Sequence, residues 1–547
     1  HNIIMGRERR ELTTLKSTSS TTGLSYLFIK KVLPVIALNL FLLQQTSSYP
    51  KTQHLAPRKW RASFKSSLSK LGAATRSIFD DNKATEITEE QQAIRYLMTQ
   101  YTKEGHVAEK IDIRWDDRKG WGVYAKEEMN ADDAIFTIPK EDCISVQSIL
   151  SDDVVGKAAH NLLEMFEYPS QATGAILALG LLKEYASQES SPHYHFITSM
   201  RWNSYDASNI LLWSDEEVDF LKETSAHDKV VKLRTWGQIK IQAIAETLPE
   251  TLRTFFGDDL QAASARACHL VNTRAIGVPP SKSLAYPTAV LVPLMDMLNH
   301  SPRPQERTSR FFAFPEGGVV AEIRKDTKVE NGEEITICYR PMDNSDLFSK
   351  YGFTIDDDQF VWSAAVNLQL DTSDRNFEDK KQLLKKNRLF HAKGKYCFLR
   401  MKTMSGYFHL EPDDLAILQI LSIQDRTFLK AQGQSLISSA LSIKNTPSKP
   451  EWWGERKNTF ELQDQTNAAT SALVDMKDMV SDTLAAMCRE KLKVLSNSHG
   501  RASNKHNDEH KEEEEEEKSR DPDLQKQRSE IAAGLVAQEI AVLESYI

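Results

Sequence analysis

The chain has 547 residues, of which 40% are hydrophobic and 27% are charged, so it has the composition of a globular protein and is too long for one simple core. The formal net charge is −8, which excludes a generally basic chain of the kind that binds nucleic acid. The five cysteines are scattered without a Cys-x-x-Cys spacing, which argues against a disulfide framework and predicts no metal site.

Residues 1–85 do not have the pattern of a folded core. An apolar run at 32–43 is short for a membrane span and is typical of a signal peptide. Residues 51–79 are basic and serine-rich and contain no acidic residue, as in a transit peptide. This order predicts delivery to a plastid bounded by additional membranes, with no stable membrane span in the mature protein. A disordered basic N-terminus on a cytoplasmic protein is the alternative.

From residue 86 the pattern becomes globular. Short strand-like runs follow at 111–115, 121–125 and 133–139. Strands this short, joined by tight turns, predict a small β-rich fold and not a parallel sheet. The turn at Gly120 and Gly122 would let backbone approach a ligand closely, although glycines often only permit a hairpin turn.

A helical block of about 148–270 separates these strands from a second strand-rich part. Apolar residues recur with helical spacing at 172–185, 216–221, 230–248 and 260–271. Strands are then predicted at 289–292, 311–314, 319–323 and 334–338.

The C-terminal part returns to helical periodicity. Residues 366–495 are predicted to be helical, with a short strand-like interruption at 396–399. The remaining 496–547 combine a polar loop, which contains a glutamate run at 512–517, with a final helix at 531–543.

Two segments carry the strongest functional signal. In the first, Asp296-x-x-Asn299-His300 directly follows an apolar strand, and in the second a β-branched strand ends on Tyr339. This order resembles the C-terminal half of a SET domain, and the helical insert is similar to that of the plant-type group of Rubisco large-subunit lysine and actin-histidine methyltransferases. The resemblance implies an α+β protein, with a β-rich SET fold at 86–365, its helical insert, and an all-α substrate-binding domain at 366–495.

The resemblance also implies a cofactor, S-adenosylmethionine (SAM), and a methyl transfer by in-line displacement. The residues that it assigns to SAM are Gly120, Gly122, Ser145, Val146, Gln147, Arg274, Asp296, Asn299, His300, Tyr351 and Phe353. Arginine suits a bidentate grip on the SAM carboxylate, which is the role implied for Arg274. Asn299 and His300 are implied to bind the adenine, while Asp296 holds their loop in place.

Tyr339 is implied to be the catalytic residue, with its hydroxyl near the reacting nitrogen. A half-buried strand tyrosine without a functional role is the commoner case. Arg340 follows it where the family often has glycine, which is a departure from the pattern. Tyr351 and Phe353 match the aromatic segment that closes the channel wall, and a packing role is their alternative.

The substrate channel is predicted to be apolar, because Ile276 and Met295 match positions that line it. An apolar channel suits the aliphatic stem of lysine, whereas the actin-type branch carries asparagine at the position of Ile276. The sequence therefore favours a lysine methyltransferase acting on a non-histone protein such as Rubisco, another plastid enzyme or actin. A histidine methyltransferase and a scaffold that binds SAM or protein without turnover stay open.

Overall fold

The computed structural model describes residues 88–116, 118–202, 204–280, 284–303, 306–314, 318–340, 342–356, 361–400, 412–442, 479–496 and 521–546. The predicted targeting region at 1–85, the glutamate run at 512–517 and most of the predicted polar loop lie outside the described residues.

The structure opens with one helix and four short strands, α1 (Glu89–Lys103), β1 (Ile111–Asp116), β2 (Gly120–Ala125), β3 (Ala134–Ile138) and β4 (Ile144–Ser145). Thr88 starts α1 with a capping box, in which its side chain accepts from the backbone N–H of Gln91. The buried residues of α1 recur at three- and four-residue spacing, so that one face of the helix packs on the core.

The helical insert follows as α2 (Val146–Leu150), α3 (Gly156–Met165), α4 (Pro169–Ser187), α5 (Tyr194–Ser199), α6 (Asp215–Asp219), α7 (His227–Thr247), α8 (Glu250–Phe256) and α9 (Leu260–Arg274). The central helix α4 is apolar on nearly all sides, and most of its residues are buried. A helix of this kind needs neighbours all around it, which the other insert helices provide.

The second strand-rich part contains β5 (Ile276–Val278), β6 (Thr288–Leu291), β7 (Asn299–His300), β8 (Ser309–Phe314), β9 (Gly318–Ile323) and β10 (Glu334–Ile337). These strands combine with the N-terminal ones into three small sheets, ordered β1-β2-β10-β7, β3-β9-β8 and β4-β6-β5. Strands distant in the sequence therefore pair, and β7 lies parallel to β10 while β10 runs antiparallel to β2.

The C-terminal part consists of α10 (Asn344–Tyr351), β11 (Ser363–Leu368), α11 (Phe377–Lys386), β12 (Lys395–Arg400), α12 (Pro412–Ser422), α13 (Arg426–Ser442), α14 (479–496) and α15 (Pro522–Glu544). The expectation of an all-α domain was too simple, because β11 and β12 form a two-stranded antiparallel sheet. The apolar alternation of 363–368 was a strand signal within a region that helical periodicity otherwise dominates.

Buried apolar side chains form two large clusters and one small one. The first extends from Ile94 to Ile337 and joins the strands to the insert, and the second extends from Met342 to Tyr546. The small cluster packs Trp213 and Phe348 against Leu535 of α15, so the last helix contacts the insert. The change of cluster near residue 340 agrees with an α+β SET fold followed by a helical region, while the exact domain limits stay a prediction.

Across the described ranges, no helix combines the length and the apolar composition that a membrane span requires.

The backbone conformation at Gly318, the first residue of β9, generates a test of the fold. Gly318 has φ 84°, and a β-carbon there would collide with the carbonyl oxygen of Ile138, whereas Gly332 has φ 86° and open space around it. We expect Gly332→Ala to lower the free energy of unfolding by about 1 kcal/mol through backbone strain, and Gly318→Ala by about 3 kcal/mol because the strands must also separate. Denaturant unfolding of both variants measures this, and equal losses would contradict the pairing of β3 with β9.

Candidate active site

The site is built where β7 and β10 run side by side. Their parallel register places Asn299 opposite Thr336 and His300 opposite Ile337. Tyr339 follows β10 by two residues, so it lies just beyond the strand and not at its last position as the sequence predicted. Its backbone N–H donates to Nδ1 of His300 at 3.1 Å, and its hydroxyl donates to the carbonyl oxygen of Leu298 at 3.1 Å.

An aromatic row extends from this junction. The ring centroids of His300 and Tyr339 are 5.1 Å apart, those of Tyr339 and Tyr351 are 5.0 Å apart, and those of Tyr351 and Phe353 are 6.1 Å apart. Gly352 ends α10 in the left-handed region with φ 78°, which reverses the chain between the last two aromatic residues. The rings of His300, Tyr339, Tyr351 and Phe353 therefore form one continuous aromatic wall.

The side chain of Asn299 connects β7 to β2 and β10. Its amide donates to the carbonyl oxygen of Trp121 at 3.1 Å and to Oε1 of Glu334 at 2.8 Å. The other oxygen of Glu334 lies 2.5 Å from the Lys119 ammonium. These contacts tie β7 and β10 to the start of β2, which carries Gly120 and Gly122.

Gly122 fits this arrangement because a side chain would not. A β-carbon at this position would lie 2.9 Å from Oε1 of Glu334 and 3.0 Å from Nδ2 of Asn299. Gly120 has φ 76°, a conformation that favours glycine. Gly122 thus lets β2 lie close to Asn299, while Gly120 permits the positive φ where β2 begins. Glu334, which joins these parts, was missed by the sequence reasoning because an isolated strand glutamate carries no motif.

A buried ion pair lies under the site. Arg274, the last residue of α9, donates from Nη1 to Asp296 and from Nη2 to the hydroxyl of Tyr205, the latter at 2.7 Å. The Asp296 side chain is 2% exposed, and its Oδ2 accepts from Arg274, whereas Oδ1 has no hydrogen-bond partner among the described residues. Burial opposes the charge on Arg274, but Tyr205 and Asp296 outweigh it and keep its pKa above the usual value.

The other predicted residues lie on or beside the β4-β6-β5 sheet. Ser145 and Ile276 both pair with Val290, from opposite sides, so they share one row across the sheet. Val146 is buried, and Ser145 caps α2 by accepting from the N–H of Ser148. Ile276, at one end of this row, follows Arg274 by two residues, so the sheet connects Ser145 to the strand that begins just after α9.

The two predicted channel residues differ in their exposure. Ile276 is half-buried at the start of β5, whereas Met295 is 2% exposed and packs in the main core. Met295 therefore offers little surface to a channel in this structure, and lining by Ile276 stays a prediction. Arg340 is exposed beside Tyr339, so the departure from glycine does not crowd the site.

Burial controls the protonation of the two central groups. It raises the pKa of Tyr339 well above its usual range, so the hydroxyl stays protonated and is unsuited to act as a base at neutral pH. It lowers the pKa of His300 to about 4, so the imidazole is neutral. Because Nδ1 accepts from Tyr339, the proton is on Nε2, which is buried and has no hydrogen-bond partner among the described residues.

A possible metal cluster lies outside this site. Within the described ranges, ligand atoms of Glu104, His106 and Asp142 lie within 4.8 Å of one another. Exposed acidic groups of this kind are common without an ion, and the sequence-based prediction of no metal is neither supported nor contradicted by them. The five cysteines are free thiols.

Comparison with known proteins identifies the class. Residues 120–340 match the family described as SET domain, so the chain contains a SET fold. Human SET domain-containing protein 4 is 41% identical over 87 residues, which are 15% of this chain and 19% of that protein. Ribosomal lysine N-methyltransferase set11 of Schizosaccharomyces pombe is 28% identical over 101 residues, 18% of this chain and 24% of that protein. The chain thus spans only about a fifth to a quarter of the length of these relatives.

A solved structure resembles the chain over most of its length. The crystal structure of the SET domain of LSMT bound to lysine and AdoHcy has a TM-score of 0.50 and 17% identity, and the match covers 83% of this chain and 90% of that chain. At this identity the likeness shows the fold alone. The predicted SET fold is confirmed, while membership of the plant-type group stays a prediction.

The neutral His300 generates a prediction about pH. Its pKa is about 4 in the folded protein and near 6.5 when unperturbed, so between these values the unfolded chain binds the proton first and stability is lost as pH falls. His300→Gln keeps an acceptor for Tyr339 but does not titrate. Its free energy of unfolding should therefore fall less than that of the wild type from pH 6.5 to 4, by on the order of 1–3 kcal/mol. Thermal unfolding across this window measures the difference, and identical pH slopes would contradict a neutral, buried imidazole.

Proposed function

We propose that this protein is a SAM-dependent protein-lysine N-methyltransferase that acts on a non-histone protein. The observation that carries the proposal is the protonated Tyr339 hydroxyl, held by the Leu298 carbonyl beside an aromatic wall, within a SET fold. SAM, when bound, supplies an electrophilic methyl group. The residues of this chain then have to bind it, exclude water and align the acceptor, because an in-line displacement needs mainly positioning.

The site residues fit a ligand of this chemistry. The buried Nε2–H of His300 is a donor that a ligand acceptor would satisfy. A guanidinium carries five N–H groups, of which Arg274 uses one toward Asp296 and one toward Tyr205, so further donors can reach a carboxylate. We therefore assign the SAM carboxylate to Arg274 and the adenine to the backbone of 299–300.

Tyr339 does not remove a proton from the acceptor in this proposal. Because the hydroxyl hydrogen is directed to the Leu298 carbonyl, the lone pairs of the oxygen can accept a hydrogen bond from an amine. This contact holds the amine in line with the methyl group. The lysine has to arrive neutral, which burial next to a sulfonium cation favours by lowering the pKa of the amine. Ile276 on β5 supports a lysine acceptor, because an apolar side chain suits the aliphatic stem better than the imidazole of histidine.

The function is tested by transfer of an isotope-labelled methyl group from SAM into an extract of soluble proteins. Mass spectrometry of the labelled protein identifies the modified residue. Label on lysine supports the proposal and identifies the target, which we expect to be Rubisco, another plastid enzyme or actin. Label on histidine would place the chain in the actin-type branch, and SAM binding without any transfer would favour a scaffold.

Tyr339→Phe separates catalysis from binding. Loss of the hydroxyl removes its hydrogen bond to the Leu298 carbonyl and the contact that aligns the acceptor, so we expect kcat to fall by about 100-fold or more. SAM affinity should stay within about twofold, because the ring and its packing are retained. Steady-state kinetics and calorimetric titration with SAM measure the two effects. A large loss of SAM affinity with unchanged kcat would mean that the tyrosine only supports the cofactor.

We also propose that residues 1–85 direct the protein to a plastid, on the basis of their signal-like and transit-like order. A fluorescent protein fused behind these residues should enter plastids in a cell that has complex plastids. The same fusion lacking 51–79 should stop earlier on the route. Uniform cytoplasmic fluorescence of the complete fusion would overturn this localisation.

A further inference from the structure

The insert loop at 204–213 reaches the candidate site from outside the SET strands. The hydroxyl of Tyr205 accepts from Nη2 of Arg274 at 2.7 Å, and the guanidinium lies 5.5 Å from the centre of the tyrosine ring. The same loop touches the aromatic wall, because a β-carbon on Gly352 would lie 2.8 Å from the Ser208 hydroxyl. One short loop thus contacts both Arg274 and the turn between Tyr351 and Phe353.

The C-terminal helix holds this loop from its other side. Arg528 of α15 donates from Nη2 to the carbonyl oxygen of Asp206 at 2.9 Å, and from Nη1 to Glu217 at 2.7 Å. The side chains of Arg528 and Glu217 are only 7% and 5% exposed. Arg266 binds the Asp206 carboxylate with two nitrogens, Nε at 3.0 Å and Nη2 at 2.8 Å. The residue next to Tyr205 is therefore fixed through its carbonyl and its side chain.

We propose that Tyr205 is a positioning residue for Arg274, and that α15 maintains its position through Arg528 and Asp206. The inference rests on the proposed function, since it assigns these residues to the arginine that binds SAM. Asp296 fixes one η nitrogen of the guanidinium and Tyr205 fixes the other, so together they set the plane in which further N–H groups point. With Tyr205 absent, the guanidinium can rotate about its bond to Asp296.

This arrangement gives the last helix a role in cofactor binding without contact to the cofactor. Arg528 lies 322 residues from Asp206 in the sequence, so the contact exists only when α15 is packed on the insert. Residues of the small cluster, Trp213 and Leu535, hold the two elements together beside this contact. Loss of α15 should therefore weaken SAM binding through the loop, and the SET strands themselves should remain folded.

Arg528 has to be tested by a conservative change. Its removal would leave Glu217 buried without its charge partner, which destabilises proteins strongly. Arg528→Lys keeps a cation for Glu217 but lacks the planar fork that reaches Asp206 at the same time. Tyr205→Phe removes one hydroxyl and keeps the ring. Lys526→Gln, an exposed position of the same helix, is the matched control for a change of charge on α15.

The experiment uses the full chain and measures SAM dissociation constants by calorimetry, together with the unfolding temperature. It also measures the KM for the unmodified protein that the wild-type enzyme methylates in the labelling experiment. We expect Tyr205→Phe to weaken SAM binding by about 5- to 10-fold, because a hydrogen bond to a charged group is lost. Arg528→Lys should weaken it by about threefold, and the double variant by no more than Tyr205→Phe alone, because both act through one loop. The KM for the protein substrate should not change, and Lys526→Gln should match the wild type.

Two results would overturn the proposal. Unchanged SAM affinity in Tyr205→Phe, with wild-type binding intact, would mean that Asp296 alone positions Arg274. Fully additive losses in the double variant would separate α15 from the loop. A wild-type protein that binds no SAM would instead overturn the proposed function, and the inference with it.

Discussion

The parallel pairing of β7 with β10 is the contact on which the rest of the site depends. These two strands are far apart in the sequence, and each is too short to be stable by itself. Their register lets the imidazole of His300 accept from the backbone N–H of Tyr339. It also places the Asn299 amide against Glu334 and the start of β2. A slip of one residue would turn these side chains to the opposite face.

The buried ion pair of Arg274 and Asp296 illustrates how a costly interaction can specify a geometry. Removing two charges from water is unfavourable, and the attraction between them restores this loss only when the contacts are well formed. Tyr205 adds a second contact to the same guanidinium, and the Arg274 pKa stays high. As a result the orientation of the cation is fixed before a ligand binds, and the entropic cost of binding is smaller.

The helical insert and the last helix belong to the site as much as the strands do. The insert ends on Arg274 and contributes Tyr205. Helix α15 holds the loop at 204–213, which carries Tyr205, through the contact of Arg528 with Asp206. The second core cluster adjoins the aromatic wall, because Tyr339, Tyr351 and Phe353 pack against it. The SET strands therefore position His300 and Tyr339, and the helical parts fix the groups that surround them.

The sequence by itself determined the class of the fold and the central residues. The apolar periods separated strands from helices, and the order of Asp296, Asn299 and His300 before Tyr339 predicted one site through its resemblance to the second half of a SET domain. Gly120 and Gly122 were a weak signal by themselves, since glycines often only permit a hairpin turn, and the same resemblance gave them a role.

The tertiary structure alone decided which of these groups touch. Nothing in the sequence shows that Glu334 accepts from the amide of Asn299, that Arg274 donates to Asp296, or that it also donates to Tyr205. The pairing of β11 with β12 and the contact of Arg528 with Asp206 were equally hidden. The local sequence pattern indicates which face of an element is apolar. Pairing between distant elements depends on how all the elements pack together, and this is determined by residues along the whole chain.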